Sequence, residues 1–480
     1  MKFKTMINNN NIFDSYYIKI SKYGKLLWEA LSGTEQDYTS GSIRKAIFLL
    51  AIPMIFETIW ESFFAIADIY FVSGLGSEAI ATVGITESLM SIIYAIAMGL
   101  SMSTAAMVSR RIGEKNPEQA SKVAAQAILL GLFASLVIAI PGYIYSSDIM
   151  AIMGAEAKII DELSVYTAIM LLGNGVIMML FIINAIFRSA GSPAISMYVL
   201  MTANILNIVL DPILIYGWGP IPALGISGAA IATNTGRGIA VLIQFYLLFS
   251  GRSNIKVRLV DFVPDFERLF RLFRLSLGGI GQLLIATTSW VGLVRIIAEF
   301  GSDAVAGYTL GIRILIFALL PFWGLANAAA TLVGQNLGAK KADRAEKSVW
   351  MTVKYSFGFA IAISFLFALI PEFWVGLLSQ DLAVMPYASE CVRIIAFGFV
   401  FYCVGMVFVS SINGAGDTLT PTLINLFCFW LFEIPLAYLL AVILDFQESG
   451  VFWSIVLAET LITVVALIIF KRGKWKLREV

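Results

Sequence analysis

"GLSMSTAAMVSRRIGEKNPEQA", residues 99–120, returns as "GLANAAATLVGQNLGAKKADRA" at residues 324–345. Three further pairs keep the same offset of 225: "GSEAIA" at 76–81 with "GSDAVA" at 301–306, Ala190-Gly191 with Ala415-Gly416, and Gly225 with Gly450. Chance supplies one such match, but not a constant register across both halves. The chain is therefore a tandem duplication, and its fold is two copies of one unit.

Composition says what kind of unit. Hydrophobic residues make up 59% of the 480, charged residues only 14%, and mean hydropathy is +0.85. A soluble protein of this size needs far more polar surface, so the chain reads as a polytopic membrane protein. A helix needs about 20 apolar residues to cross the hydrocarbon core. Turn and charge punctuation marks twelve such stretches, at 46–73, 79–108, 120–145, 161–187, 194–217, 224–250, 270–299, 304–334, 348–371, 384–412, 420–444 and 449–470.

Basic residues alternate along the connections. One set holds Arg110, Arg111, Lys115 and Lys122, then Arg188, the run Arg252 to Arg274, Lys340 to Lys347, and the tail from Lys471. The opposite set carries no Lys or Arg except Lys158. The positive-inside bias places both termini in the cytoplasm. The polar start lacks an apolar core with a small-residue cleavage site, so it reads as a tail rather than a signal peptide.

Two six-helix repeats that begin on the same side are related by an axis along the membrane normal, as parallel transporter repeats are. The expected fold is an all-α membrane protein of twelve transmembrane helices in two pseudo-symmetric six-helix bundles. Its divisions are an N-terminal tail (1–45), an N-terminal bundle (46–250), a linker (251–268), a C-terminal bundle (269–471) and a C-terminal tail (472–480). Two bundles around one axis leave a central cavity that rocking can open to either side. The expected setting is a bacterial-type plasma (inner) membrane, crossed many times.

Several functions fall away on composition. The chain has no histidine, which removes haem ligation, His-based metal sites and Ser-His triads. No nucleophile–base pair is recognisable, so an enzyme is not expected, nor a cofactor. A net charge of +1 argues against a nucleic-acid partner. Cys391, Cys403 and Cys428 lie in apolar helical stretches and read as reduced packing residues.

The acids break the repeat. At the offset of 225, Asp68 falls on Leu293 and Asp211 on Leu436. Fold maintenance would act on both halves alike, whereas a single site would not. Glu57, Glu61 and Asp68 stand at i, i+4 and i+11, within about 40° on a helix of 3.6 residues per turn. No Lys or Arg occurs between Ala46 and Ser109 to neutralise them locally. Asn204, Asn207 and Asp211 share a face of the fifth span. Asp68 and Asp211 each lie six residues before a helix-ending glycine, Gly74 and Gly217, roughly 9 Å below the outer boundary. Tyr166 falls at a similar depth.

Two carboxylates, carboxamides and a phenol at one level describe a cation or proton site. Each central acid costs roughly 2.5–3.5 kcal/mol on insertion scales, so three in one span are tolerated rather than helpful. Burial away from cations favours a protonated carboxyl, which makes Asp68 a candidate reversible proton carrier. Glu57, Glu61, Asn204 and Thr233 are candidate cavity or substrate-binding residues. Pro53 is a candidate hinge, because proline removes a backbone hydrogen bond and crowds the preceding turn. Arg295 and Glu299 read as a structural i, i+4 pair.

The doubled bundle, "VSGLGSEAIATVG", "FRSAGSP", "NIVLDPILIYG" and "NGAGDTLTP" resemble the multidrug and toxic compound extrusion (MATE) family over residues 42–470. In detail the chain is similar to the DinF-type branch. That branch's bending proline and essential aspartate match Pro53 and Asp68, its fifth-span asparagine and aspartate match Asn207 and Asp211, and its fourth-span tyrosine matches Tyr166. A hydroxyl usual in the branch is Ala229 here, with Thr233 one turn on, which weakens a sodium cage at Asp68, Asn207 and Asp211. The NorM-type branch expects a glutamate in the seventh span, where this chain has only Gln282.

The resemblance implies a V-shaped, monomeric antiporter that exports organic, often cationic, compounds or other drugs in exchange for inward H⁺ or Na⁺. The alternative is a lipid-linked oligosaccharide flippase of the same superfamily. Such a flippase needs cationic groups for pyrophosphate, and only Arg237 and Arg393 lie near mid-membrane to supply them.

Overall fold

The computed structural model describes residues 24–33 and 36–480. The tail expected over 1–45 concerns in part residues 1–23, 34 and 35, which lie outside the described residues. Among the described residues, twelve helices are long and apolar enough to span a membrane. They are α1 Ile43–Ser73, α2 Ser77–Gly113, α3 Pro117–Ile144, α4 Ala157–Ser189, α5 Pro193–Tyr216 and α6 Ile226–Ser250 in the first half. The second half holds α7 Phe266–Phe300, α8 Ser302–Gly338, α9 Ala342–Leu369, α10 Met385–Gly414, α11 Leu419–Ile443 and α12 Gln447–Lys471.

Three local features depart from the expected pattern. α4 is broken at Gly173 into Ala157–Leu172 and Asn174–Ser189. The Asn234 side chain of α6 sits where a Cβ on Gly173 would stand, 1.9 Å from its Oδ1, and it donates to Ile169 O. A side chain inserted beside a helix ladder is an ordinary cause of such a break. α11 is π-helical over Leu426–Glu433 and again over Leu439–Ile443. α7 begins at Phe266, so the connection between halves ends before residue 268 and contains a 3-10 turn, Leu259–Phe262.

The duplication reappears in the backbone. Positive φ occurs at Gly76 and Gly301, Lys115 and Lys340, and Gly191 and Gly416, with paired values within 1° of one another. The packing obeys the same pseudo-symmetry. Gly99 of α2 lies against Ile280 of α7, while Gly324 of α8 lies against Ile55 of α1. Gly113 abuts the carbonyl of Gln335, and Gly338 that of Arg110. Each pair is the other shifted by the repeat, so α2 and α8 cross at the pseudo-two-fold axis through glycines that let backbone approach backbone.

These close approaches all lie toward the side that carries the basic loops. Hydrogen bonds between the halves are there too: Ser103 to Ser276 at 2.8 Å and Gln335 Nε2 to Ser189 O at 2.8 Å. Arg344 donates to the carbonyls of Tyr38, Ser40 and Gly41. On the other side, Glu87 of α2 and Arg313 of α8 are exposed on the inner faces of their helices. The backbone approaches and hydrogen bonds that join the halves thus cluster on the basic side. One continuous core gathers α2 to α6, and two others fill the second half. The first turns of α1 pack against Ala328 and Leu332 of α8.

α1 runs unbroken through the buried Pro53, where the missing N–H leaves the Leu49 carbonyl without its helical donor. Cys391, Cys403 and Cys428 are buried free thiols. Arg295 and Glu299 are both exposed, and no ion pair joins them among the described residues. That pairing expectation fails because α7 turns to 3-10 geometry at Ala298, which disturbs the i, i+4 spacing.

Candidate functional site

Two of the three acids of α1 find cations far away in sequence. Glu57 Oε1 accepts from Arg188 Nη1 at 2.6 Å, with both side chains largely buried, and from Asn184 Nδ2 at 3.4 Å. Asn184 in turn accepts from Gln244 Nε2 at 2.7 Å. Glu61 Oε1 accepts from Arg237 Nη2 at 2.8 Å, and its Oε2 from Asn204 Nδ2 at 3.3 Å. Arg237 also donates to Tyr94 Oη at 3.1 Å and lies over the Phe64 ring at 4.8 Å. The reading of α1 as a stripe of unneutralised acids is thereby corrected. Glu57 is a member of a buried ion pair with Arg188, and Asn204 belongs to the Glu61–Arg237 network. Such pairs are retained because each charge, once buried, needs its partner.

Asp68 is different. It is buried, yet its carboxylate has no hydrogen bond or ion pair among the described residues. Asp211, on the facing helix, is fully buried and close enough to Asp68 for the two charges to act on each other. Tyr166 lies within electrostatic reach of both. Asn207 Nδ2 donates to Asp211 Oδ1 at 3.3 Å and to Thr233 Oγ1 at 3.1 Å. Thr233 thus supplies a hydroxyl to the group although Ala229 cannot. Two buried oxygens, Asp211 Oδ2 and Asn207 Oδ1, have no hydrogen-bond partner. Glu57 Oε2 and Asn204 Oδ1 in the neighbouring networks are likewise unpartnered, so what marks this group is its donor chemistry. Carboxylate and carboxamide oxygens suit a hard monovalent cation, and a carboxylate equally suits a proton. The ends of α1 and α5 away from the basic loops are tied by Tyr216 Oη donating to Phe71 O at 2.6 Å.

One residue escaped the sequence reading. Glu87 is the sole acid of α2 between Ala79 and Val108, and its charge acts on Asp68 and Tyr166. It is exposed and within electrostatic reach of Arg313 of α8, with no ion pair among the described residues. Its isolation in an apolar span was the available signal.

A duplicated bundle whose halves meet on the basic side, with a buried acid pair in one half that has no ion-pair contact among the described residues, has the build of a membrane transporter. The MatE family model matches the chain twice, at residues 53–213 and 280–439, once in each repeat, and the chain belongs to that family. It is a transporter and not an enzyme. It is 23% identical over 439 residues to the probable multidrug resistance protein NorM of Thermotoga maritima, covering 91% of this chain and 94% of that one. It is 25% identical over 436 residues to the multidrug export protein MepA of Staphylococcus aureus, covering 90% and 94%. A solved outward-facing multidrug resistance MATE transporter superimposes with a TM-score of 0.84 at 26% identity, covering 91% of this chain and 97% of that chain.

Proposed function

We propose that this chain is a secondary active multidrug antiporter. It exports organic, often cationic, compounds in exchange for H⁺ or Na⁺ moving inward, with Asp68 and Asp211 as the exchangeable site. One observation carries this reading: among the acids of α1 and α5, only Asp68 and Asp211 have no cation in ion-pair contact among the described residues, Arg237, which acts on Asp68 electrostatically, being bound to Glu61. A site that must be neutralised but holds no built-in cation is suited to exchange one.

The proposed cycle follows from charge. With both termini cytoplasmic, a cation from outside neutralises Asp68 and removes its attraction for a cationic substrate. Release of that cation to the cytoplasm restores the charge and the site reloads. Asn207, Thr233 and Tyr166 shape the site, and Glu87 adds to its negative field. The names of the curated relatives, multidrug resistance and multidrug export, support this substrate class. Of the two cations the flippase alternative relied on, Arg237 is paired with Glu61 and Arg393 with Glu372, and the names of the curated relatives favour drug export over that alternative. We place the protein, as a monomer, in a bacterial-type inner membrane. The test is ethidium efflux from proteoliposomes under an imposed pH gradient and then a sodium gradient. At least one gradient should drive efflux, and failure of both would overturn the proposal.

A further inference from the structure

The C-terminal bundle holds two buried carboxylates that this cycle does not use. Glu433 ends the π-helical stretch of α11 and is 4% exposed, while Glu459 in mid-α12 is 7% exposed. Ser289 of α7 donates its hydroxyl to Glu433 Oε2 at 3.0 Å. The Glu459 carboxylate has no hydrogen bond or ion pair among the described residues.

Its direction is set by its neighbours. Val456, Glu459 and Thr463 stand at i, i+3 and i+7, on one face of α12. Gly398 of α10 packs on Val456, and Gly405 on Thr463, whose hydroxyl donates to Phe401 O at 2.6 Å. Glu459 therefore points at α10 between those glycines, beside Tyr402. Each carboxylate is within electrostatic reach of the other and of Tyr402.

The other titratable groups facing the pair are Tyr308 of α8, Cys403 of α10 and Cys428 of α11. No Lys or Arg acts on either glutamate, in contrast to Glu57 and Glu61. The repeat gives the place a meaning. At the offset of 225, Glu433 and Glu459 fall on Ile208 and Asn234, each the next residue after Asn207 and Thr233. The pair occupies, between α11 and α12, the level that the cation-free site occupies between α5 and α6. An unpaired carboxylate this deep is tolerated only when a cation or proton neutralises it.

We propose that Glu433 and Glu459, with Ser289 and Tyr402, form a second binding site for a small monovalent cation, H⁺ or Na⁺, in the C-terminal bundle. The site stands on its own geometry. Only its consequence, one further cation taken per cycle, rests on the antiport reading.

The first test labels purified full-length protein with dicyclohexylcarbodiimide, which modifies protonated carboxyls in apolar surroundings, and locates adducts by peptide mass spectrometry. Glu433 or Glu459 should be labelled, with a rate that falls as pH rises. Protection by Na⁺, but not by choline at equal ionic strength, would assign the site to Na⁺; its absence would assign it to H⁺. The labelling should survive in the Asp68→Asn/Asp211→Asn variant, which separates it from the first site. No adduct at either glutamate, or labelling that neither pH nor Na⁺ changes, would overturn the proposal.

The second test is the cation-to-ethidium ratio in proteoliposomes, which should fall by one cation in Glu459→Gln. Glu459→Asp serves as the conservative control for insertion. A well-inserted Glu459→Gln protein with the wild-type ratio and pH profile would overturn the added coupling. If wild-type protein exchanges no cation for ethidium, the antiport reading fails, while the labelling still decides the site.

Discussion

Gly338→Ala tests the closure of the basic side. A Cβ built on Gly338 lies 2.1 Å from the Arg110 carbonyl oxygen, where ordinary contact is 3.4–4 Å. The obstacle is backbone, so no side chain can swing away, and α2 and α8 must separate by more than an ångström at their crossing. Overpacking of this kind costs typically about 1–3 kcal/mol, and it is felt only while the crossing is closed. The gain in helix propensity, about 1 kcal/mol, applies in both states and cancels. The ratio of closed to open basic side should fall by about 5- to 150-fold. A reporter cysteine at Ser103, buried against Ser276, measures this in a background lacking the three native cysteines. Its reaction with a maleimide should quicken by a similar factor in Gly338→Ala. The pseudo-symmetric Gly113→Ala, 1.9 Å from the Gln335 oxygen, should do the same. An unchanged rate in both variants would refute the crossing as the closure point.

Three further outcomes follow from the packing and the repeat. Arg188→Met leaves Glu57 buried without its cation and should destabilise the protein by about 3–5 kcal/mol. Glu57→Gln/Arg188→Met should regain most of that in a denaturation cycle, and simple additivity would contradict the pair. Asp211→Asn should damage transport far more than Leu436→Asn at its repeat position, when both insert equally; equal activity would remove the one-sided site. Cysteines at Ser77 and Ser302 should react with an impermeant reagent from outside and one at Ala342 only from inside, whereas labelling of all three from one side would exclude the parallel repeat.

The twelve spans and the repeat were legible because both depend on pattern. Apolar runs of membrane length need no knowledge of partners, and Gly76 with Gly301 or Gly191 with Gly416 mark the same turn by the same φ. Asp68, Asn207 and Asp211 were legible because helical spacing places residues on a face. What a face meets is a tertiary matter. Arg188 and Arg237 stand 131 and 176 residues from the glutamates they neutralise, so α1 read as more acidic than it is. The break in α4 falls at Gly173, a glycine visible in the segment, but the Asn234 side chain packed against it comes from α6, and the π-helical turns of α11 follow from how that helix packs. Glu87 was visible as a lone acid, but its nearness to Asp68 comes only from the folded bundle.

Asp68→Asn decides whether the α1 aspartate is the exchanging group, because it keeps the side chain's shape while removing its charge and its capacity to exchange a cation. The measurement is gradient-driven ethidium efflux by Asp68→Asn protein in proteoliposomes, matched to wild type for insertion. The variant should fold and insert normally and show no efflux under either a pH or a sodium gradient. Robust gradient-driven efflux by that variant would contradict that assignment.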